Sequence, residues 1–312
     1  MLIWKKEIGD NGLPEGRLYM KKIGFIGLGI MGRPMALNLF HAGVDILIND
    51  IDDRVLRATA QQGLPIGTVS AVGSECDLIF MILPNGDIVK EVIFGEGGLV
   101  SSTKKPQVIC DMSSVTPAES QYCHKKLKRM GVRFVDAPVS GGEPKAVDGT
   151  LSFMVGGDEQ SYQTLRPYFE IMGSSSVLIG GSGSGSIAKL ANQIIVNLSI
   201  AAVSEAFVLA KKAGADPEKV YQAIRGGLAG SEVLDAKLPM ILKRDFTPGG
   251  KIAVNHKDIK NVLETARDQK IPLPFTAQLF QVMQALDVSG HMEEDHSGII
   301  QYFERLAGVE VS

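Results

Sequence analysis

Short apolar runs alternate with amphipathic stretches along the first half of the chain. The apolar runs show little polar alternation, which is typical of strands in a parallel sheet with helices on both faces. The amphipathic stretches between them fit crossover helices. The predicted strands are 22–27, 44–50, 76–84, 107–113, 132–140, 151–157 and 176–180. The predicted helices between them are 34–42, 54–62, 87–94 and 117–130. The pattern therefore predicts an α/β fold with a doubly wound parallel sheet.

The strand pattern stops after Gly185, and helical periodicity replaces it. The predicted helices are 187–213, 217–224, 233–242, 255–269, 274–286 and 296–306. We therefore expect an α/β domain over 20–182 and an all-helical domain over 183–312, joined by a long helix. Residues 1–19 are expected to form an extension outside the fold, because the stretch "MKKIGFIG" from Met20 resembles a natural protein start.

A glycine-rich turn follows the first predicted strand and opens the first predicted helix. Gly27, Gly29 and Gly32 have the G-x-G-x-x-G spacing of Rossmann-type dinucleotide-binding domains. The first glycine permits the tight turn, the second lets the backbone approach a pyrophosphate, and the third allows close helix–strand packing. The predicted cofactor contacts in this turn are Gly27, Leu28, Gly29, Ile30, Met31 and Gly32.

An acidic residue at the end of the second predicted strand bears on the choice of cofactor. Asp50, with Asn49 before it, stands where a carboxylate hydrogen-bonds the adenosine ribose of NAD. A carboxylate there repels a 2′-phosphate, and no arginine follows until Arg54. The sequence therefore favours NAD as cofactor, with NADP possible.

Three further strand ends carry residues suited to ligand contact, since ligands of doubly wound sheets lie outside the carboxyl ends of the strands. Leu83 and Pro84 follow the third predicted strand, and Ser113 and Ser114 follow the fourth. The run 140–142, which is Ser140, Gly141 and Gly142, could hold a carboxylate with consecutive N–H groups and a hydroxyl. The first two segments could equally be plain turns, and a sequence such as 140–142 taken alone is more often a plain turn than an anion site.

A lysine stands in the first turn of the long predicted helix, within the stretch "GSGSGSIAKLANQ". There Lys189 would face the positive end of the helix dipole, which costs about 0.3–1 kcal/mol. Asn192 and Gln193 share its helix face. The amine could therefore act as a proton donor to a carbonyl, although a lysine that merely extends into solvent is the plainer interpretation.

Composition excludes several classes of protein. Hydrophobic residues make up 45% and charged residues 21% of the chain, with a formal net charge of -3, so neither nucleic acid nor an anionic membrane is an expected partner. The three cysteines form no C-x-x-C pair, which suits a reducing compartment and a cytoplasmic protein. No HExxH or EF-hand spacing is present, so no metal is expected. The apolar run 187–210 is too often interrupted by polar residues for a membrane-spanning helix.

Taken together, four stretches resemble the β-hydroxyacid dehydrogenase family, and the resemblance covers 20–312. They are "GFIGLGIMGRPMALNL", "DAPVSGG" with the following "GTLSFMVGG", "GSGSIAKLANQ" and "HKDIKNVLETA". The resemblance implies that Lys189 is the catalytic acid and base, that residues 140–142 bind the substrate carboxylate, and that Asn192 or Gln193 helps to place the substrate. It also implies that Lys257 lies beside the cofactor and that Leu83, Pro84 and Ser114 line its nicotinamide side.

The same resemblance implies an activity, the NAD(P)H-dependent and reversible reduction of tartronate semialdehyde to D-glycerate. Oxidation of 3-hydroxyisobutyrate or another small 3-hydroxyacid is the alternative, reduction of imines ranks lower, and a non-catalytic NAD(H)-sensing protein is a remote one. Family members of the 3-hydroxyisobutyrate type usually read K-x-x-N-N where this chain reads Lys189-Leu-Ala-Asn192-Gln193. The long apolar helices suggest a homodimer or a homotetramer.

Overall fold

The computed structural model describes residues 21–312, so the predicted extension at 1–19 lies outside the described residues. The chain divides into two compact units, of which the first ends at Ala188 and the second spans Lys189–Ser312. The boundary therefore falls a few residues after the one predicted at 182. The first unit is the α/β part and the second is helical.

The first unit contains eight strands and seven complete helices among its described residues. The strands are β1 (Ile23–Ile26), β2 (Ile46–Asn49), β3 (Leu78–Met81), β4 (Val108–Asp111), β5 (Arg133–Asp136), β6 (Val139–Ser140), β7 (Leu151–Gly156) and β8 (Gly173–Gly180). The helices are α1 (Gly32–His41), α2 (Asp53–Ala60), α3 (Val69–Glu75), α4 (Gly86–Phe94), α5 (Pro117–Lys128), α6 (Gly142–Val147) and α7 (Glu159–Met172).

The strands form one sheet in the order β2-β1-β3-β4-β5-β7-β6, and β8 also pairs with β7. The pairings from β2 through β5 are parallel, which confirms the predicted doubly wound sheet. The pairings of β5 and β6 with β7 are antiparallel, so the sheet is mixed at this side. The single strand predicted over 132–140 is two strands, because Pro138 interrupts it and has no N–H to donate to a ladder.

Hydrophobic cores lie on both faces of this sheet. Alternate residues of each central strand point to opposite faces: Phe25, Phe80 and Cys110 lie in one core cluster, and Ile79 and Ile109 lie in the other. The helices α1 and α7 pack on the first face and α3, α4 and α5 on the second. The strands are apolar without polar alternation because neither face meets water.

Three helices of the first unit were not predicted. The helices α3 and α6 are short and rich in small residues, and α7 contains Pro167, which interrupts the apolar periodicity. Thr68 and Asp158 each accept a hydrogen bond from a backbone N–H at the start of α3 and α7, respectively. These are ordinary helix-capping residues, and they were the signal in the sequence that marked α3 and α7.

The second unit is helical over its described length, as predicted. The long helix α8 (Ser184–Lys212) starts in the first unit and continues into the second. The others are α9 (Pro217–Ile224), α10 (Glu232–Leu242), α11 (Ile252–Asp268), α12 (Pro274–Val288), a short 3-10 helix (His296–Ile299) and α13 (Ile300–Ala307). The helix predicted over 296–306 is thus divided between the 3-10 helix and α13.

The helix α8 supplies residues to both apolar cores of the second unit. Ile200 lies in one core cluster and Phe207 in the other. By length and composition alone, α8 is the one described helix that could cross a membrane, and the core helix of a soluble protein passes the same test. Two of its buried polar side chains donate to carbonyls one turn earlier in the helix: Asn197 to that of Gln193 and Ser204 to that of Ile200.

A buried aspartate ties three segments of the second unit together. Asp295 accepts hydrogen bonds from the backbone N–H groups of Gly249, Gly250 and Ser297. The ammonium group of Lys237 on α10 lies 3.1 Å from its carboxylate. Since Gly249 and Gly250 come just before α11, this carboxylate fixes the start of that helix against α10 and the 3-10 helix.

Removal of the ammonium partner of Asp295 is expected to destabilise the protein. Lys237→Met keeps the aliphatic stem but leaves a buried charge without its cation, so we expect a loss of roughly 3 kcal/mol in the free energy of unfolding. The matched control is Lys219→Met, which removes an 84% exposed lysine lying 3.8 Å from Asp216 and should cost less than about 1 kcal/mol. Urea unfolding measures both, and equal losses would contradict this account of Asp295.

Candidate active-site residues

The three glycines of the turn after β1 are required for different reasons. Gly27 has φ of 93°, and a Cβ on it would lie 2.1 Å from the carbonyl oxygen of Ile82. A Cβ on Gly32 would lie 1.9 Å from the carbonyl oxygen of Gly27. A Cβ on Gly29 would have no atom of the described chain within 4 Å. The fold itself therefore demands Gly27 and Gly32, whereas the surface at Gly29 is open to the approach of a ligand.

Two helices of the first unit begin without a side-chain cap. Of the seven helices α1 to α7, five are capped by a side-chain oxygen, supplied by Asp52, Thr68, Asn85, Thr116 and Asp158. The helices α1 and α6 follow Met31 and Gly141, and neither residue makes a side-chain capping bond. Uncapped N–H groups at a helix start favour anions. These two starts are the places predicted to hold the dinucleotide and the substrate carboxylate.

The carboxylate of Asp50 is fixed against the glycine turn. One oxygen accepts the N–H of Leu28 at 2.5 Å, and the other accepts the N–H of Asp52 at 2.8 Å. Asn49 has a structural role instead, because its side-chain amide donates to the carbonyl of Gly67. Leu28 is buried and Ile30 is half-exposed. Asp50 and the backbone around Gly29 are therefore the best placed of the predicted cofactor contacts.

The segments that follow β3 and β4 are hydrogen-bonded to each other. The N–H of Leu83 donates to the hydroxyl oxygen of Ser113 at 2.8 Å, and the N–H of Ser113 donates to Asp111 at 2.9 Å. Pro84 is exposed and Ser114 is partly buried. Ser113 thus determines where Leu83 lies, while Ser114 is the less buried residue of the two, although its hydroxyl oxygen is itself buried.

Two buried carboxylates at neighbouring strand ends were missed from the sequence. Asp111 and Asp136 are the last residues of β4 and β5 and stand opposite each other in the parallel ladder. Burial, and then the charge of Asp136, raises the pKa of Asp111 to about 7. Burial also raises the pKa of Asp136, although the N–H groups of Gly183 and Ser186 act against that rise. The signal was an acid ending each of two otherwise apolar strands.

The long helix begins earlier than predicted, and the carboxylate of Asp136 binds its first N–H groups. It accepts the N–H groups of Gly183 and Ser186 at 2.7 and 2.9 Å, and α8 begins at Ser184, three residues earlier than predicted. Lys189 therefore lies in the second turn, where the helix dipole has largely faded, and an anion stands at the helix start.

The run 140–142 forms the bend between β6 and α6. Gly141 and Gly142 have φ of 141° and 69°, conformations that side chains with a Cβ rarely adopt. A Cβ on Gly141 would lie 2.7 Å from Cβ of Lys145, so this lysine packs against the bend. Ser140 is partly buried, and both glycines are exposed. Their backbone groups can thus be reached by a ligand.

A polar cluster in the second unit surrounds the predicted acid. Burial lowers the pKa of Lys189, the carboxylate of Asp258 acts against that, and the charge of Lys257 lowers it further. Lys257 lies 2.8 Å from one oxygen of Asp258, and Gln193 donates to the other at 2.6 Å. Gln193 and Lys257 therefore contact Asp258, its charge acts on Lys189, and Asn192 donates to Gln193. Sequence reasoning missed Asp258, although it follows Lys257 directly.

Comparison with known proteins gives the following matches. The family model for the NAD binding domain of 6-phosphogluconate dehydrogenase matches residues 22–181. The model for NAD-binding of NADP-dependent 3-hydroxyisobutyrate dehydrogenase matches residues 183–303. The two units thus correspond to two family models, each named for a nucleotide-dependent dehydrogenase.

Individual relatives span nearly the whole chain. The 2-hydroxy-3-oxopropionate reductase of Escherichia coli (strain K12) is 42% identical, with 92% of this chain and 98% of the relative covered. The 2-(hydroxymethyl)glutarate dehydrogenase of Eubacterium barkeri is 36% identical, with 93% and 97% covered. The solved structure of Mycobacterium tuberculosis 3-hydroxyisobutyrate dehydrogenase with L-serine has a TM-score of 0.83 at 27% identity, with 91% and 99% covered.

Replacement of Gly27 should impair folding, whereas replacement of Gly29 should impair cofactor binding. Gly27→Ala should destabilise the fold, because its Cβ would overlap the carbonyl of Ile82 and its φ is positive. Gly29→Ala should leave the melting temperature within about 2 °C of wild type, since the position is open, and should weaken NADH binding at least tenfold by obstructing the backbone. Differential scanning fluorimetry and fluorescence titration measure the two effects. Unchanged NADH affinity of Gly29→Ala would contradict the assignment.

The raised pKa of Asp111 predicts a pH-dependent stability. Its ordinary value is 3.8 and its folded value is about 7, so between these values the folded protein binds the proton more tightly than the unfolded chain. Wild type should therefore lose up to roughly 1.4 kcal/mol of this contribution per pH unit as pH rises from 4 to 7. Asp111→Asn has no such titration. The stability of the variant relative to wild type should rise over this range, and a constant difference would contradict the raised pKa.

Proposed function

The chain belongs to the β-hydroxyacid dehydrogenase family, and from this premise we propose that it reduces tartronate semialdehyde (2-hydroxy-3-oxopropionate) to D-glycerate. Family membership makes it an NAD(P)-dependent oxidoreductase acting on a CH–OH group. The choice among small hydroxyacids is supported by the 42% identity to the reductase named for this compound. Oxidation of 3-hydroxyisobutyrate is the second candidate, since a structural neighbour carries that name.

The residues of the first unit fit a dinucleotide. The open surface at Gly29, the uncapped start of α1 and the carboxylate of Asp50 suit a pyrophosphate and an adenosine ribose. Asp50 faces the turn with both oxygens fixed, and its charge would repel a 2′-phosphate. These observations support NAD over NADP. When bound, the nicotinamide supplies or accepts the hydride.

The substrate carboxylate is assigned to the bend at 140–142. Both glycines there are exposed and present backbone N–H groups at an uncapped helix start. Such N–H groups can orient a carboxylate without a cation. Ser140 adds a hydroxyl beside them. The bend would thereby fix one end of a three-carbon acid.

The single observation that carries the proposal is the setting of Lys189. Its amine is partly buried, and burial lowers its pKa from the ordinary value of 10.5. A lowered pKa makes an ammonium a better proton donor near neutral pH. Lys189 would therefore give its proton to the oxygen of the aldehyde as hydride reaches the carbon, and would take the proton back in the reverse direction.

A substrate panel tests the proposed reaction. We expect the highest kcat/KM for tartronate semialdehyde with NADH, when it is compared with methylmalonate semialdehyde in the reductive direction and D-glycerate is compared with 3-hydroxyisobutyrate in the oxidative direction. NADPH in place of NADH should lower kcat/KM. A higher kcat/KM for 3-hydroxyisobutyrate than for D-glycerate would overturn the substrate assignment in favour of the second candidate.

Replacement of the proposed acid tests the mechanism separately from the substrate. Lys189→Met should lower kcat by about 10²–10⁴-fold, the usual contribution of general acid catalysis, with the Kd for NADH unchanged. The matched control is Lys212→Met, which removes an exposed lysine from the last turn of the same helix and should leave kcat unchanged. Full turnover by Lys189→Met would exclude Lys189 as the acid.

A further inference from the structure

Gln193 has every N–H of its side chain committed to the protein. The residue is 6% exposed and lies one turn after Lys189 on α8. Its amide nitrogen donates to Asp258 at 2.6 Å and, more weakly, to Asn255 at 3.4 Å. Its amide oxygen accepts the side-chain N–H of Asn192 at 3.0 Å. Gln193 cannot donate to a ligand without breaking one of these bonds.

The orientation of the Gln193 amide is set by the chemistry of its neighbours. A carboxylate only accepts hydrogen bonds, so the NH₂ end of Gln193 must face Asp258. Asn255 agrees with this assignment, because its own NH₂ donates to the carbonyl of Lys251 and its oxygen is turned to Gln193. The oxygen of Gln193 is therefore directed at Asn192.

That oxygen in turn sets the orientation of Asn192. The NH₂ end of Asn192 must face Gln193, since an amide oxygen accepts but does not donate. The oxygen of Asn192 and its second N–H then point away from Gln193 in defined directions. Asn192 is less buried than Gln193, so it is the better placed of the two amides for contact with a ligand.

Asp258 is the fixed end of this chain of hydrogen bonds, which runs from Asp258 through Gln193 to Asn192. It is 2% exposed on α11, with Gln193 on one oxygen and the ammonium of Lys257 2.8 Å from the other. Asn255 lies on the same face of α11, three residues earlier. The start of that helix is fixed by the buried Asp295.

We propose that Gln193 is a positioning residue: it transmits the orientation of the Asp258 carboxylate to the amide of Asn192, and Asn192 makes the substrate contact. The proposal rests on the proposed function, because it assigns roles for a small hydroxyacid substrate. It chooses Asn192 over Gln193, the two residues that the sequence left as alternatives.

A double-variant cycle separates a positioning role from direct contact. Asn192→Ala and Gln193→Met should each raise the substrate KM by roughly tenfold, the loss of about one hydrogen bond, with the Kd for NADH unchanged. The double variant should be no worse than Asn192→Ala alone, because Gln193 acts only through Asn192. Multiplying effects in the double variant would mean that Gln193 touches the substrate, and would overturn the proposal.

Gln193→Glu gives a signature that a merely structural role does not produce. A protonated glutamic acid can donate to Asp258 and accept from Asn192, as glutamine does, whereas its ionised form cannot donate and repels Asp258, which raises the pKa of the introduced acid. The variant should therefore have a KM near wild type at low pH and a raised KM at high pH, with an ionisation that wild type and Gln193→Met lack. Circular dichroism at each pH checks the fold, and a pH-independent KM would overturn the proposal.

These measurements use whichever compound of the substrate panel gives wild type its highest kcat/KM. A wrong choice of natural substrate is then seen in the wild-type panel, and a wrong role for Gln193 is seen in the variants. A wild-type protein that turns over none of the compounds would overturn both proposals.

Discussion

The balance between the partial burial of Lys189 and the charge of the buried Asp258 is the interaction on which the proposed chemistry depends. Burial favours the neutral amine of Lys189, and Asp258 acts against it. Too little burial would leave an ordinary lysine, and loss of Asp258 would leave a buried cation without an opposite charge. The structure stabilises Asp258 with Lys257 and Gln193, and fixes the start of α11 with Asp295. Gln193 and Lys257 therefore both hold the carboxylate whose charge acts on the proposed acid.

The proposed ligand sites of the first unit consist mainly of backbone groups. Gly27 and Gly32 are dictated by the closeness of Ile82 and of the turn itself, and Gly29 leaves a surface where no side chain stands. The two helices without side-chain caps are those assigned to the dinucleotide and to the substrate carboxylate. Side chains refine these sites: Asp50 faces the glycine turn, and Ser113 fixes Leu83. An anionic ligand can therefore be recognised largely by oriented N–H groups.

Local patterns predicted most elements of the fold. Apolar runs located the central strands, and helical periodicity located α9 and α12 closely. The break at Pro138 and the antiparallel side of the sheet were not predicted, because strand pairing depends on contacts far along the chain. The early start of α8 was missed because its Gly/Ser run is typical of a linker, and the carboxylate that caps it comes from Asp136 on β5.

In the candidate site, too, local features were predicted from the sequence and contacts between distant residues were not. The G-x-G-x-x-G turn and Asp50 were found because their spacing is local. Asp258 was missed as a partner of Gln193, since the two residues are 65 positions apart in sequence. Burial is the leading cause of the lowered pKa of Lys189, and the helix dipole contributes little because Lys189 lies in the second turn. Pairings between distant polar residues are what the sequence leaves undetermined.

The most direct test of the account is the pKa of Lys189 itself, measured by carbon-13 NMR of protein labelled at the lysine ε-carbon. Comparison with Lys189→Met assigns the signal. The account predicts titration below the ordinary lysine value of 10.5, and a further decrease in Asp258→Asn, because the opposing carboxylate is then removed. Titration at or above 10.5 in wild type would contradict the claim that burial prepares this lysine as an acid.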